Sequence, residues 1–225
     1  MIVLHDAGLI FVRTRKTAGT SVEIALSRHA GVFDIITSLS PRDEALRARE
    51  GGLLPQRHLR DGLTPSHAPV SPGPGPGVRF YNHMPATEIR DKVGADIWDR
   101  YRSVCLERSP YEKAVSLYFH RHRTPPRPSV EAFVDSGEFR DAINWPLYTG
   151  PDGHVMVDVI IRHEHLQDGL DDLCRCLGLP ALSLPRAKAH FRPPGAGYRD
   201  VLTPRARRAV EEAYAAEFDH HGYTW

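Results

Sequence analysis

The chain has 225 residues, with 29 Lys plus Arg against 28 Asp plus Glu and a formal net charge of +1. That length accommodates one domain, residues 1–225, with a core of its own. The near-neutral balance excludes a broad field for nucleic acid or an anionic membrane, so any anion must be recognised locally, and no stretch approaches the roughly 20 apolar residues of a membrane span.

Apolar period and breaker residues predict strands alternating with helices. Leu9 to Arg13 (about 9–13) reads as a strand that breaks into Thr14-Arg15-Lys16-Thr17-Ala18-Gly19-Thr20-Ser21 and then into a helix from Thr20 to His29, with Val22, Ala25, Leu26 and His29 on one stripe. An irregular region from about 38 to 77 follows, ending in Ser71-Pro72-Gly73-Pro74-Gly75-Pro76-Gly77, with a short charged helix from Arg42 to Glu50 in its middle. A loop of this length in a compact domain is either a cover for a substrate site or disordered chain. Val78 to Asn82 reads as a second strand bringing His83 to its end, and a short helix from Thr87 to Val93 stops at Gly94.

Tyr101 to Glu107 reads as a third strand, delivering Arg108. Ser109, Pro110 and Glu112 then form a capping box for a helix from Pro110 to His122, whose buried stripe is Tyr111, Ala114, Val115 and Tyr118. Ser116 falls on another face. A Pro/Arg-rich connector (121–128) leads to a helix from Val130 to Ser136 capped by Ser129. A strand from Val157 to Ile161 follows, then a helix with Leu166, Leu170, Leu173 and Leu177 in register, stopped by Gly178 and Pro180. Thr203 and Pro204 open a last helix with Ala206, Val210, Ala213 and Tyr214 inside. The alternation argues an α/β fold with a parallel sheet covered on both faces. In such a sheet ligands bind beyond the carboxyl ends of the strands, which is where Lys16, His83 and Arg108 are expected.

Residues 14–21 have the make-up of a phosphate cradle. Small residues let the backbone approach an anion, the following helix offers its first amides and the positive end of its dipole, Lys16 adds a charge, and Thr17, Thr20 and Ser21 add hydroxyls. A Walker loop has four residues between its first Gly and Gly-Lys-Ser/Thr, whereas Lys16 precedes the loop's glycine, Gly19. A P-loop kinase is therefore disfavoured. The order Lys-Thr-Ala-Gly-Thr-Ser after a strand resembles the 5'-phosphosulfate loop of sulfotransferases that use 3'-phosphoadenosine 5'-phosphosulfate, in the branch of carbohydrate and bacterial enzymes. Arg108-Ser109-Pro110 with Ser116 eight residues after Arg108 is similar to that family's 3'-phosphate motif. His83-Met84-Pro85-Ala86 and the run Val157 to Leu166 resemble further segments. Arg15 departs from the Pro or Gly usual before the loop lysine.

The resemblance implies a three-layer, P-loop NTPase-like fold with a central parallel sheet flanked by helices. It implies sulfuryl transfer from 3'-phosphoadenosine 5'-phosphosulfate, without a metal, to a hydroxyl or amine on a small molecule or carbohydrate. Arg15, Lys16, Thr17, Ala18, Gly19, Thr20 and Ser21 would bind the phosphosulfate, with Lys16 neutralising the leaving phosphate. Arg108 and Ser116 would hold the 3'-phosphate and His83 would be the general base. Glu23, in the first turn of the loop's helix, competes for the base's role, although helix-dipole complementarity explains an acid there. Arg13, Arg15, Lys188, Arg192 and Arg199 are auxiliary cations or surface charges. A nucleotide-dependent phosphotransferase and a non-catalytic nucleotide-binding module stand as alternatives.

Three cysteines, two of them (Cys174 and Cys176) only two apart on a helix, fit a reducing compartment better than a disulfide framework. With no basic n-region or long h-region at Met1 to Asp6, the expectation is a cytoplasmic enzyme. None of the 13 histidines shows the i, i+4 spacing of a helical metal pair. Oligomeric state is left open.

Overall fold

A computed structural model describes residues 1–58, 80–185, 187, 192–193 and 195–225. In chain order the first elements are β1 (Ile2–Leu4), β2 (Leu9–Val12), α1 (Gly19–Leu26), β3 (Ile35–Ile36) and α2 (Pro41–Arg49). Next come α3 (Ala86–Val93), α4 (Ala95–Arg100), β4 (Arg102–Glu107), α5 (Pro110–Arg121), α6 (Val130–Asp135) and α7 (Trp145–Tyr148). The last are β5 (Val159–Arg162), α8 (Leu166–Leu177), α9 (Tyr198–Val201), α10 (Pro204–Ala213) and α11 (Ala215–His221). No described helix is long and apolar enough to cross a membrane.

The fold is α/β with a five-stranded mixed sheet of order β3-β1-β2-β4-β5. This corrects the expectation of a purely parallel sheet. β1 runs antiparallel to both β2 and β3, while β2, β4 and β5 are parallel. The physical reason is short-range: Leu4 and Leu9 pair across a tight turn in which Gly8 takes φ +60°, and a turn that short can join only antiparallel strands. Neither β1 nor β3 has a period that sequence could reveal. Ile2, Val3 and Leu4 are all buried, as a strand covered on both faces requires, and β3 is two residues long.

The chain divides into two compact units. One comprises residues 1–14, 18–107 and 146–187, and the other residues 15–17, 108–145 and 188–225. The first contains the sheet. Ile2, Leu4, Leu9, Phe11, Val104, Leu106 and Ile161 turn one face of it toward Val22, Ala25 and Leu26 of α1 and Leu170, Leu173 and Cys174 of α8. Gly169 is required for that packing, because a Cβ there would stand 2.5 Å from Cγ2 of Ile161. In the second unit the expected stripe of Tyr111, Ala114, Val115 and Tyr118 is buried with Phe133, Phe139, Leu202, Ala206, Val210 and Tyr214.

Two local expectations fail. Residues 80–82 of the expected strand 78–82 are irregular, and 78–79 lie outside the described residues. The Asn82 side chain donates to the Ser38 carbonyl and accepts from Arg13 and Thr37, and His83 stands in a turn that leads into α3 and not at a strand end. The capping box before α5 is not formed: Ser109 makes no side-chain cap bond, and Glu112 pairs instead with Arg108. The charged helix in the irregular region forms as α2, with Ser40 capping Asp43, while the Pro/Gly run 71–77 lies outside the described residues.

Candidate functional site

The parallel register of β2 with β4 (Val12 opposite Cys105) brings the carboxyl ends of two strands side by side within the first unit. Thr14, two residues past β2, fixes the start of the loop there by donating its hydroxyl to the Leu106 carbonyl. Four further residues, Arg15 to Ala18, then lead into α1. Ala18 stands at the N-cap in the left-handed region, φ +68° and ψ +13°, and its carbonyl accepts from the amides of Ser21 and Val22. Gly19 permits the close fold-back: a Cβ there would lie 3.2 Å from Cγ of Arg13 and 3.4 Å from the Thr14 carbonyl oxygen. The first turn of such a helix presents amides that no helical carbonyl can satisfy.

Backbone strain collects on the predicted residues. Among the described non-glycine residues four have positive φ: Lys16 (+61°), Ala18 (+68°), His83 (+59°) and Arg57 (+52°). Three of these four are the loop lysine, its near neighbour and the predicted base. A left-handed non-glycine residue costs of order 1–2 kcal/mol, and such costs persist where surrounding contacts over-determine the geometry, commonly at ligand clamps.

His83, half-buried, sets its Nδ1 3.1 Å from the main-chain oxygen of Arg13. A carbonyl can only accept, so Nδ1 carries the proton and the neutral ring has its lone pair at Nε2. The loop hydroxyls are sheltered: Thr17 is fully buried, Thr20 accepts from Arg13 at 2.7 Å, and Ser21 accepts from the Ala187 amide at 3.3 Å.

Arg13, expected as an auxiliary cation or a surface charge, and Glu23, expected as a rival base or a helix-dipole cap, are both buried. Arg13 is only 6% exposed, and its guanidinium reaches Glu23 at 2.7 Å, Thr20 and the Asn82 carbonyl oxygen. Glu23, fully buried, also accepts from the α-amino group of Met1 at 2.7 Å. Burial alone would push its carboxyl up, but the amine of Met1 and the guanidinia of Arg13 and Arg47 overcome this and hold it at about 2. Glu23 is therefore an ionised anchor under the loop, neither a base nor a dipole cap. The N-cap position of α1, Ala18, lies five residues earlier and has no acidic partner in the first turn.

In the second unit, Arg108 begins the segment that leads into α5, with Ser116 two turns along and half-buried. The Arg108 guanidinium lies 2.8 Å from Glu112, and Arg192 reaches the same carboxylate oxygen at 2.6 Å. Glu112 therefore gathers two guanidinium groups around one anionic oxygen, a role its expected capping function concealed. Lys188 lies outside the described residues. Arg199 stacks over Tyr198 and Trp225.

The same unit explains Arg15. Its amide donates to Oδ1 of Asn144 at 2.7 Å, and its carbonyl accepts from Nδ2 of the same side chain at 3.0 Å. Nothing in the sequence marked Asn144, because a single Asn between Ile143 and Trp145 has no pattern to stand out from. The first unit thus holds Ala18, Gly19, Thr20, Ser21 and His83, and the second holds Arg15, Lys16, Thr17, Arg108 and Ser116. Among the described residues no cluster of three or more His, Cys, Asp or Glu could hold a metal ion.

No family model matches the chain, and no solved structure matches it. An uncharacterized protein of Archaeoglobus fulgidus is 39% identical over 101 residues, which cover 43% of this chain and 84% of that protein. With most of that relative covered at this identity, the chain belongs to the same family as the archaeal protein.

Proposed function

We propose that the protein is a sulfotransferase of P-loop NTPase-like, three-layer fold that takes its sulfuryl group from 3'-phosphoadenosine 5'-phosphosulfate. The observation that carries this reading is the coincidence of strain with chemistry: Lys16, Ala18 and His83, three of the four left-handed non-glycine residues described, belong to the loop and base singled out by motif. Backbone held at that cost around a lysine and a helix start supports an anion cradle.

In this reading the first amides of α1 and the Lys16 ammonium meet the 5'-phosphosulfate. Arg108 and Ser116 take the 3'-phosphate, Arg108 exchanging Glu112 for a phosphate oxygen as its fork allows. The acceptor's hydroxyl or amine gives its proton to Nε2 of His83. Its oxygen or nitrogen bonds to sulfur as the sulfur–oxygen bond to the 5'-phosphate breaks, releasing the 3',5'-bisphosphate. Lys16 stabilises the charge that grows on the departing phosphate. Positioning and charge stabilisation carry such in-line transfers, by analogy with phosphoryl transfer. None of the three cysteines is joined in a disulfide, which agrees with a reducing, cytoplasmic setting.

The test is transfer of labelled sulfate from the donor to a panel of alcohols, phenols, amines and sugars. Turnover that Lys16→Ala abolishes is expected. Transfer of phosphate from ATP that stops on chelation would place the protein among phosphotransferases, and bisphosphate binding without turnover on any acceptor would make it a sensing module.

A further inference from the structure

We infer that Asn144 is the positioning residue of the phosphate loop, setting Lys16 through the backbone of Arg15; this rests on the nucleotide-binding reading above. The carboxamide makes both bonds that a paired strand would make to Arg15, donating to its carbonyl at 3.0 Å and accepting from its amide at 2.7 Å. It thereby fixes the peptide immediately before Lys16, whose own φ of +61° an unsupported chain would abandon. Asn144 is fully buried.

Its direction is fixed in turn by an ion pair. Glu217, fully buried, accepts at one oxygen from the amides of Asn144 (2.5 Å) and Trp145 (3.0 Å), and at the other from Nζ of Lys113 (2.5 Å). Lys113 is fully buried on α5, the helix that also carries Glu112 and Ser116. A continuous line of contacts within the second unit therefore runs from α5 through Glu217 and Asn144 to Arg15. An ion pair kept wholly from water is a costly way to gain stability. Here it holds two consecutive main-chain amides in place, which a hydrophobic pair of equal volume could not do. The clamp also accounts for a residue the loop motif leaves unexplained: Arg15 offers Asn144 its backbone, as any residue but proline can, and its guanidinium donates to the Ile143 carbonyl at 3.4 Å.

The experiment compares the full chain with Asn144→Ala and Asn144→Asp, using 3',5'-bisphosphoadenosine and 3'-AMP as probes in calorimetry, with amide hydrogen exchange at Arg15 as a second readout. Asn144→Ala is expected to lower affinity for the bisphosphate roughly 10- to 100-fold, as misplacement of a positioned group does, while leaving 3'-AMP binding unchanged. The Arg15 amide should exchange rapidly in Asn144→Ala and stay protected in Asn144→Asp, which keeps the acceptor and loses the donor. If Asn144→Ala does not fold, Asn144→Asp is read alone, and it should lose part of the 5'-phosphate preference with the Arg15 amide still protected. Equal loss for both nucleotides, or no loss for either, would overturn the inference. A wild-type chain that binds the bisphosphate no better than 3'-AMP would overturn the nucleotide reading and Asn144's place in it, whereas an Arg15 amide that is unprotected in the wild type would remove the clamp alone.

Discussion

Nδ1 of His83 donates to the carbonyl oxygen of Arg13 across 3.1 Å, which settles where the ring keeps its proton and leaves Nε2 as the basic atom. Replacing His83 with Ala should therefore slow the single-turnover chemical step by roughly 10²–10⁴-fold with little change in donor affinity, and the acid limb of the rate–pH profile should vanish. An unchanged single-turnover rate would show that the ring only orients its turn.

Ala18 holds a left-handed backbone at the start of α1 without a side-chain cap bond. Glycine has no Cβ to clash in that region, so Ala18→Gly should stabilise the protein by about 1 kcal/mol, read as a rise in denaturant midpoint with unchanged slope. A fall in midpoint would mean that the methyl group packs in a way that outweighs the strain.

Glu23 is held ionised at about 2, below its ordinary 4.5, by the amine of Met1 and the guanidinia of Arg13 and Arg47, despite the opposing effect of burial. The folded state thus binds this proton less readily than the unfolded chain. The stability Glu23 contributes is complete above pH 4.5 and is lost as the pH falls toward 2. Glu23→Gln should remove about 3–5 kcal/mol at neutral pH, since it strands buried positive charge, and should flatten the acid limb of a stability–pH curve. A variant as acid-sensitive as the wild type would shift the acid transition to other carboxylates.

Glu112 competes with any anion for Arg108 and Arg192, bonding them at 2.8 and 2.6 Å. Glu112→Gln should therefore tighten binding of the 3',5'-bisphosphate. Arg108→Ala should weaken it by about 10- to 100-fold, the worth of a charge-assisted hydrogen bond of 1.5–3 kcal/mol, with AMP binding unaffected. Loss of binding in both variants would make Glu112 a ligand-positioning group instead of a competitor.

Much of the frame was legible because it is written in apolar period. Leu166, Leu170, Leu173 and Leu177 mark α8, the Tyr111 stripe marks α5, and the runs at Leu9 and Val104 mark the two strands whose ends flank the loop. β1 and β3 were missed because three and two buried residues carry no period, and with them the antiparallel part of the sheet. Burial of charge was illegible for a different reason. Arg13 and Glu23 are ten residues apart and meet only because α1 folds back on β2, and a partner of that kind has no local signature. Asn144 lies 129 positions from the residue it clamps.

The proposed grip on a nucleotide by both its 5' and 3' phosphates is read by titration calorimetry of the wild-type protein with 3',5'-bisphosphoadenosine and with AMP. Two charge-assisted contacts to the 3'-phosphate predict an affinity for the bisphosphate about 100-fold or more above that for AMP. Equal affinities, or no binding of either nucleotide, would contradict it.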